Sequence, residues 1–313
     1  MKKSAGVLLI IILLISALAA VPQGGSAARP PIIPQSQSAV AAFASNPPYI
    51  GSEAVNIPDM VYPHYLRENY KRYNNFRNRN PGMPFSRVIA YVNAGVDLAP
   101  YSDVTFAADP ESIAVMLNRN NSLPLGYEPG DMVNIGGGHL MREEAAEHFL
   151  VMREELTSLG LRLHIVITYR SYQQQARRFN DAQARSGTVS AERQFARPGH
   201  SDHQTGLAAD LLNRSWSDHM SYARFEETKE YAWLCDNAYR YGFILRYPRN
   251  YGDIHGFIYE PWHWRYVGVD IATAMYEGGI DVFEEYYGKY LAPGVIERWE
   301  NGYLVDNWLS WLK

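Results

Sequence analysis

The stretch from Pro198 to Asp210, PGHSDHQTGLAAD, sets ionisable side chains directly beside small and apolar ones. Pro198-Gly199 makes a turn, Gly206 frees the backbone, and Gly206 to Leu212 then reads as a strand. In an extended segment positions 208, 210 and 212 share a face, so Asp210 emerges between neighbours small enough to leave room for a bound ion. About fifty residues later Glu260-Pro261-Trp262-His263-Trp264-Arg265-Tyr266 again places a carboxylate and an imidazole in strand-like, aromatic sequence. Such a chain must either gather these groups at a site that uses them or leave them as ordinary polar residues near a core.

Imidazole and carboxylate are both good zinc ligands, and a catalytic zinc takes three protein ligands and leaves one position for water. Asp210 and His263 with either His200 or His203 complete such a set, and spacing alone does not choose between the two histidines. Glu260, three residues before His263, is suited to act as general base. A flat strand would put 260 and 263 on opposite faces, so the pairing requires a bend, which Pro261 favours. The other histidines, His64, His139, His148, His164, His219 and His255, read as ordinary residues, and Asp253 with His255 is a weak second pair.

With 47% hydrophobic and 20% charged residues the chain has the composition of a globular protein. A net charge of −4 gives no global basic field, which argues against nucleic acid or an anionic membrane surface as the main partner. The single cysteine, Cys235, excludes an intrachain disulfide and a Cys-based zinc knuckle, and is expected to be a small buried apolar residue. Met1-Lys2-Lys3 followed by the uncharged run Ala5 to Val21 has the order of a secretory signal. Ala17-Leu18-Ala19 and Gly25-Ser26-Ala27 each offer a cleavage site, while the length of the run also approaches that of a membrane anchor. No cysteine follows closely, which argues against a lipoprotein anchor. Residues 1–27 are therefore expected to be a signal peptide or anchor, 28–48 a Pro/Ser-rich tether, and 49–109 an N-terminal extension with no clear periodicity and no assignable function.

Beyond Asp109 the pattern predicts a short helix over Pro110 to Leu117 and turn-rich sequence from Asn118 to Asp131. A helix from about Arg142 to Leu159 should bury the stripe Ala145, Phe149, Met152, Leu156 and stop at Gly160. A strand over Leu161 to Tyr169 follows, then a helix from Tyr172 to Ala184 capped by Ser171, leaving Arg170 at a strand end just before a helix N-terminus. A helix over Thr228 to Tyr241, strands over Phe243 to Tyr247 and Ile258 to Val267, and helices over Gly268 to Glu277 and Asp281 to Tyr287 complete an α+β fold, with helices packed on a small antiparallel sheet. Alternation is expected to bury at least one of Trp262 and Trp264.

Ser201-x-His203-x6-Asp210 with Glu260-x-x-His263 resembles the paired signature of the VanY-like D-alanyl-D-alanine carboxypeptidases, zinc peptidases grouped with lysostaphin-type enzymes and the hedgehog fold. The likeness extends through Tyr169-Arg170-Ser171-Tyr172, through Pro198 to Ala208, and through Gly242-Phe243-Ile244-Leu245-Arg246-Tyr247-Pro248 to Gly268, and covers roughly residues 110 to 288. It implies a zinc carboxypeptidase domain over 110–290, with 291–313 as a C-terminal extension. It implies His203, Asp210 and His263 as zinc ligands, leaving His200 as a neighbour, and Glu260 as catalytic base. Arg170 matches the family arginine that binds substrate and stabilises the oxyanion, with Ser171 and Ser201 as substrate contacts, and the usual acidic residue before the first ligand is kept as Asp202.

The implied activity is zinc-dependent removal of the terminal D-Ala from peptidoglycan stem peptides by a monomer at the extracytoplasmic face of the cell envelope. An LD-carboxypeptidase or endopeptidase would share the zinc centre, and a non-catalytic wall-binding module would have no need of Glu260. Arg246 and Arg265 are candidates for binding a terminal carboxylate, although surface or sheet-edge charges are their plainer reading, and Trp262, Trp264 and Tyr266 are candidates to line the cleft. Ser310-Trp311-Leu312-Lys313 matches the S-x-x-K pattern of serine enzymes by chance, since no partner motif accompanies it.

Overall fold

The computed structural model describes residues 62, 64–213, 222–293 and 295, so the expected signal or anchor, the tether, most of the C-terminal extension and the S-x-x-K match lie outside the described residues. Chain order runs from helices α1 (Tyr70–Arg79) and α2 (Phe85–Asn93) through two pairs of short strands, β1 (Thr105–Phe106) with β2 (Asn121–Ser122) and β3 (Met132–Asn134) with β4 (Leu140–Arg142). There follow helix α3 (Glu143–Ser158), strand β5 (Leu163–Ile167), helices α4 (Tyr172–Ser186) and α5 (Thr188–Gln194), strand β6 (Ala208–Asn213) and helix α6 (Lys229–Asn237). Strand β7 (Phe243–Leu245), the short helix α7 (Gly252–His255), strand β8 (His263–Tyr266) and helices α8 (Val269–Glu277) and α9 (Phe283–Tyr290) complete it.

Strands β5, β6, β8 and β7 pair in that order, every pair antiparallel. Across β6 and β8, Ala209 lies opposite Trp264 and Asp210 opposite His263. Because side chains alternate between faces, this register sends Ala209 and Trp264 into the core under α3 and sends Asp210 and His263 together to the other face. The predicted stripe Ala145, Phe149, Met152 and Leu156 packs against that core face, joined by Leu207, Leu211, Phe243 and Tyr266. Thus the α+β class, the antiparallel sheet and most element positions match the sequence reading.

Four differences have physical causes. Pro110 to Leu117 is a run of turns rather than a helix. The carbonyls of Ile113 and Val115 accept from Arg265 Nη2, and that of Leu117 accepts from Arg246 Nη2, so they are not engaged by amides one helical turn on. The α6 segment changes to a 3₁₀ helix over Ala238–Tyr241. Cys235 is exposed, because α6 turns Glu230 and Leu234 inward and position 235 away from the core.

The fourth difference is the pair α1 and α2 in the segment where no periodicity is visible. All of Val88, Ile89, Ala90, Tyr91 and Val92 in α2 are buried, since α1 packs on one side and α9 on another. Five consecutive apolar residues in so short a helix read alike as a buried helix or a buried strand, so periodicity alone does not assign the segment. The approach to α9 is close: a Cβ at Gly288 would overlap the Ala90 carbonyl, and Asn93 Nδ2 donates to the Gly288 carbonyl at 3.0 Å.

Candidate metal centre and catalytic cleft

Each metal-binding candidate reaches the same point from a different local structure. His203 sits in a 3₁₀ turn, Asp202–Thr205, that ends at Gly206 with φ 71°. The positive φ favours glycine there, and a Cβ would in addition push the Met132 side chain, whose Sδ would lie 2.7 Å away. Asp210 comes from the middle of β6 and His263 from the first residue of β8. The predicted bend before His263 is a turn in which its N–H donates to the Glu260 carbonyl at 3.1 Å, and this brings Glu260 Oε2 to 3.8 Å from His263 Nδ1.

Asp210 Oδ1 lies 3.2 Å from His203 Nε2 and 3.0 Å from His263 Nδ1. The three donor atoms fall within 4.8 Å of one another, and all three residues are buried. The remaining nitrogen of each ring points at an oxygen: His203 Nδ1 meets the Thr168 carbonyl at 2.6 Å, whereas His263 Nε2 faces Asp202 Oδ2 at 3.7 Å, an ion-pair separation rather than a hydrogen bond. Hydrogens on those outer nitrogens leave His203 Nε2 and His263 Nδ1 as lone-pair donors aimed at Asp210. Two imidazoles and one carboxylate so arranged fit zinc with a position left open.

Electrostatics fit the same role. Burial lowers His203 to about 4, partly offset by Asp210. Burial would also lower His263, but Asp202 and Asp210 outweigh it and raise it to about 9. Burial opposes ionisation of Asp210, yet the two histidines hold it far below the usual carboxylate range. Glu260 is pushed up by burial to about 8, against the pull of His263. A cation held in the cradle would take the place of the proton on His263 and would favour the ionised form of Glu260.

Arg170 is buried, and burial brings it to about 10, still protonated near neutrality. Its N–H donates to the His203 carbonyl at 3.0 Å and its Nη1 donates to Gln175 Oε1 at 2.7 Å. Arg170, Ser201, His203, Asp210, Glu260 and His263 all line one cleft of about 220 Å³. Ser171 is not among its lining residues. Its Oγ accepts from the Gln174 N–H at 3.3 Å while Gln174 Oε1 accepts from the Ser171 N–H, a capping box that starts α4. Ser171→Ala should therefore lower stability by about 1 kcal/mol in a urea titration. A change in KM at unchanged stability would instead make Ser171 a substrate contact.

His200 is turned away, with Nδ1 on the Asn118 carbonyl at 2.8 Å and its ring against Tyr101. Trp264 is buried, whereas Trp262 lines the cleft against Tyr222. Tyr266 lies in the core with its hydroxyl donating to Glu144 Oε1 at 2.8 Å. The surface or sheet-edge reading of Arg246 and Arg265 is overturned. They are 1% and 0% exposed and converge on Asp202, Arg246 Nε at 3.2 Å from Oδ2 and Arg265 Nη1 bonded to Oδ1. Neither is free to bind a substrate carboxylate.

The cleft also contains Gln175, Arg178, Tyr222, Tyr247 and Ile258, none of which was singled out from the sequence. A signal existed for Gln175, a polar residue on the buried stripe Gln175, Phe179, Ala182 of α4. Arg178 stands one turn beyond it and stacks over the Phe195 ring at 4.8 Å.

Residues 138–269 match the profile of the VanY family, D-alanyl-D-alanine carboxypeptidase. The YodJ protein of Bacillus subtilis (strain 168) is 36% identical over 215 residues, 66% of this chain and 77% of its own length. The bifunctional D-Ala-D-Ala dipeptidase and D-Ala-D-Ala carboxypeptidase VanXYC of Enterococcus gallinarum is 30% identical over 194 residues, 58% of this chain and 95% of its own. Among solved structures, the LdcB LD-carboxypeptidase superposes with a TM-score of 0.55 at 37% identity, over 59% of this chain and 90% of its own. The chain belongs to the VanY-like family of D-alanyl-D-alanine carboxypeptidases, and it is a peptidase.

Proposed function

We propose that the chain is a zinc-dependent carboxypeptidase that removes the terminal D-Ala from peptidoglycan stem peptides outside the cytoplasmic membrane. The observation that carries this reading is the convergence of His203, Asp210 and His263 with Glu260 and Arg170 in one cleft. The charged start and apolar run of residues 1–21 support export.

His203 Nε2, Asp210 Oδ1 and His263 Nδ1 would hold the ion. Zinc so held supplies Lewis-acid polarisation and lowers the pKa of water from about 15.7 to roughly 7. Glu260 takes the proton of the attacking water at its carboxylate, a C–O bond forms at the scissile carbonyl, and the same proton passes to the departing nitrogen as the C–N bond breaks. The Arg170 guanidinium, oriented by Gln175, donates to the oxygen that gains charge. A carboxypeptidase must also hold a free terminal carboxylate. With Arg246 and Arg265 committed to Asp202, Arg178 is the second guanidinium lining the cleft, and no carboxylate partner occupies it among the described residues.

Purified protein given pentapeptide and tetrapeptide stems should release D-Ala from the pentapeptide, lose the activity to a chelator and regain it with zinc, as read by mass spectrometry. Chelator-insensitive release, or internal fragments alone, would overturn the proposal. The likeness to LdcB favours one second reading, LD-carboxypeptidase activity, under which D-Ala leaves the tetrapeptide and the pentapeptide is spared.

A further inference from the structure

Four buried charged groups lie behind His263. Asp202 accepts from Arg265 at Oδ1, and its Oδ2 is 3.2 Å from Arg246 Nε and accepts from the Tyr247 hydroxyl at 3.3 Å. Arg246 reaches further and is held by both oxygens of Glu284, Nη2 to Oε1 at 2.8 Å and Nη1 to Oε2 at 3.0 Å. Two guanidiniums thus face two carboxylates, and the set closes electrically only when Glu284 is counted. Glu284 lies on α9, beyond the residues 138–269 that match the family profile.

Helix α9 is held from two sides. Phe283 and Tyr286 pack with Met116, Ile244 and Val267 of the catalytic core. On the other side Glu285 Oε2 lies 3.2 Å from Arg87 Nε on α2, and the Gly288 backbone is seated against Ala90 and Asn93. Residues of the N-terminal extension therefore hold in place the helix that presents Glu284.

We propose that Glu284 is a positioning residue for the metal centre, acting through Arg246 and Asp202 on His263, and that helix α2 holds α9 in the position this requires. Without the Glu284 charge, Arg246 retains Asp202 as its only carboxylate and competes with His263 for Oδ2. An excess positive charge is then buried close to a site that must accept a cation. Loss of an acceptor behind a ligating histidine typically weakens metal binding about 10- to 100-fold. The inference rests on the metal-site reading above but not on any substrate.

The experiment is titration of the metal-free full chain with zinc against a chromophoric competing chelator. Glu284→Gln should bind zinc on the order of 10-fold more weakly than the unaltered chain. Tyr286→Leu, which loosens the same helix in its apolar contacts, should lower the melting temperature and weaken zinc binding far less than Glu284→Gln. Arg87→Ala, which removes the α2 partner of Glu285 and leaves it paired only with Lys289 of its own helix, should weaken zinc binding in the same direction by a smaller factor. The double substitution Arg246→Met with Glu284→Gln removes both the excess charge and the competition for Asp202 Oδ2 and should recover zinc affinity. If Glu284→Gln does not fold, Glu284→Asp, which keeps the charge but shortens the reach to Arg246, should weaken zinc binding by a smaller factor. Zinc affinity equal to that of the unaltered chain in the folded Glu284 variant, or a double variant that binds zinc as weakly as the single one, sinks the proposal, as does equal weakening by Tyr286→Leu. Failure of the unaltered chain to bind zinc would defeat both this inference and the metal-site reading, whereas zinc binding without peptide hydrolysis would defeat only the proposed function.

Discussion

Glu260→Gln is expected to leave zinc bound and to lower kcat about 100- to 10,000-fold on the pentapeptide stem, the span general-base catalysis supplies. Glutamine keeps the shape but cannot take a proton. Glu260 lies outside the set of three donors that meet around Asp210, so its loss removes no ligand. Burial lifts its carboxyl to about 8, and a bound cation draws that value down toward the working range of a base. The base must be ionised to act, so kcat/KM in the unaltered enzyme should fall as pH drops through its pKa. The variant should lose that acid-side limb together with the rate. Zinc content by metal analysis and kcat by D-Ala release check the two halves separately, and a variant that keeps near-normal turnover removes Glu260 from the role.

The sequence made the inner site legible because its residues occupy short, rigid units. His203 follows a Pro-Gly turn, Asp210 a run of small residues, and His263 a proline-induced bend, so local pattern and chemistry coincide. The choice of His203 over His200 was open on spacing and came from family resemblance. The structure supplies the reason: His203 Nδ1 is tied to the Thr168 carbonyl and His200 Nδ1 to that of Asn118, backbone groups that leave no mark in the sequence. Long-range pairing was illegible for a similar reason. Arg246 and Arg265 look like edge charges until Glu284, Asp202 and the carbonyls of residues 113 to 117 close around them. The same arginines occupy the carbonyls of residues 113, 115 and 117, so one long-range network underlies both the buried charges and the turns over Pro110 to Leu117. The run Val88 to Val92 is ambiguous in sequence because five consecutive apolar residues suit a short buried helix or a strand alike, and its covering partner, α9, lies nearly two hundred residues away, with Asn93 and Gly288 separated by 195 positions.

Asp202→Ala is the second substitution with a large expected effect, and it acts on stability as well as on the metal. Asp202 is the carboxylate shared by Arg265, Arg246 and Tyr247 and faced by His263, and it does not line the cleft. Replacing a buried ion-pair network by apolar residues can be neutral, whereas removing one partner strands the others. With alanine at 202, Arg265 keeps only the carbonyls of Ile113, Val115 and Tyr266, and Glu284, bonded to Arg246, is the one carboxylate of the network left to balance two buried arginines. The expected loss is roughly 3–5 kcal/mol of folding stability, read from urea denaturation. Zinc should bind more weakly as well, because the His263 ring loses the acceptor behind Nε2. Arg265→Met in the Asp202→Ala background removes the stranded charge and should recover part of the stability, while zinc affinity stays low because His263 still lacks its acceptor. That separation is the informative result: a cost below about 1 kcal/mol in the single variant would mean that Asp202 does not balance the arginines, and zinc affinity returning with stability in the double one would mean that it balances them without orienting the ligand.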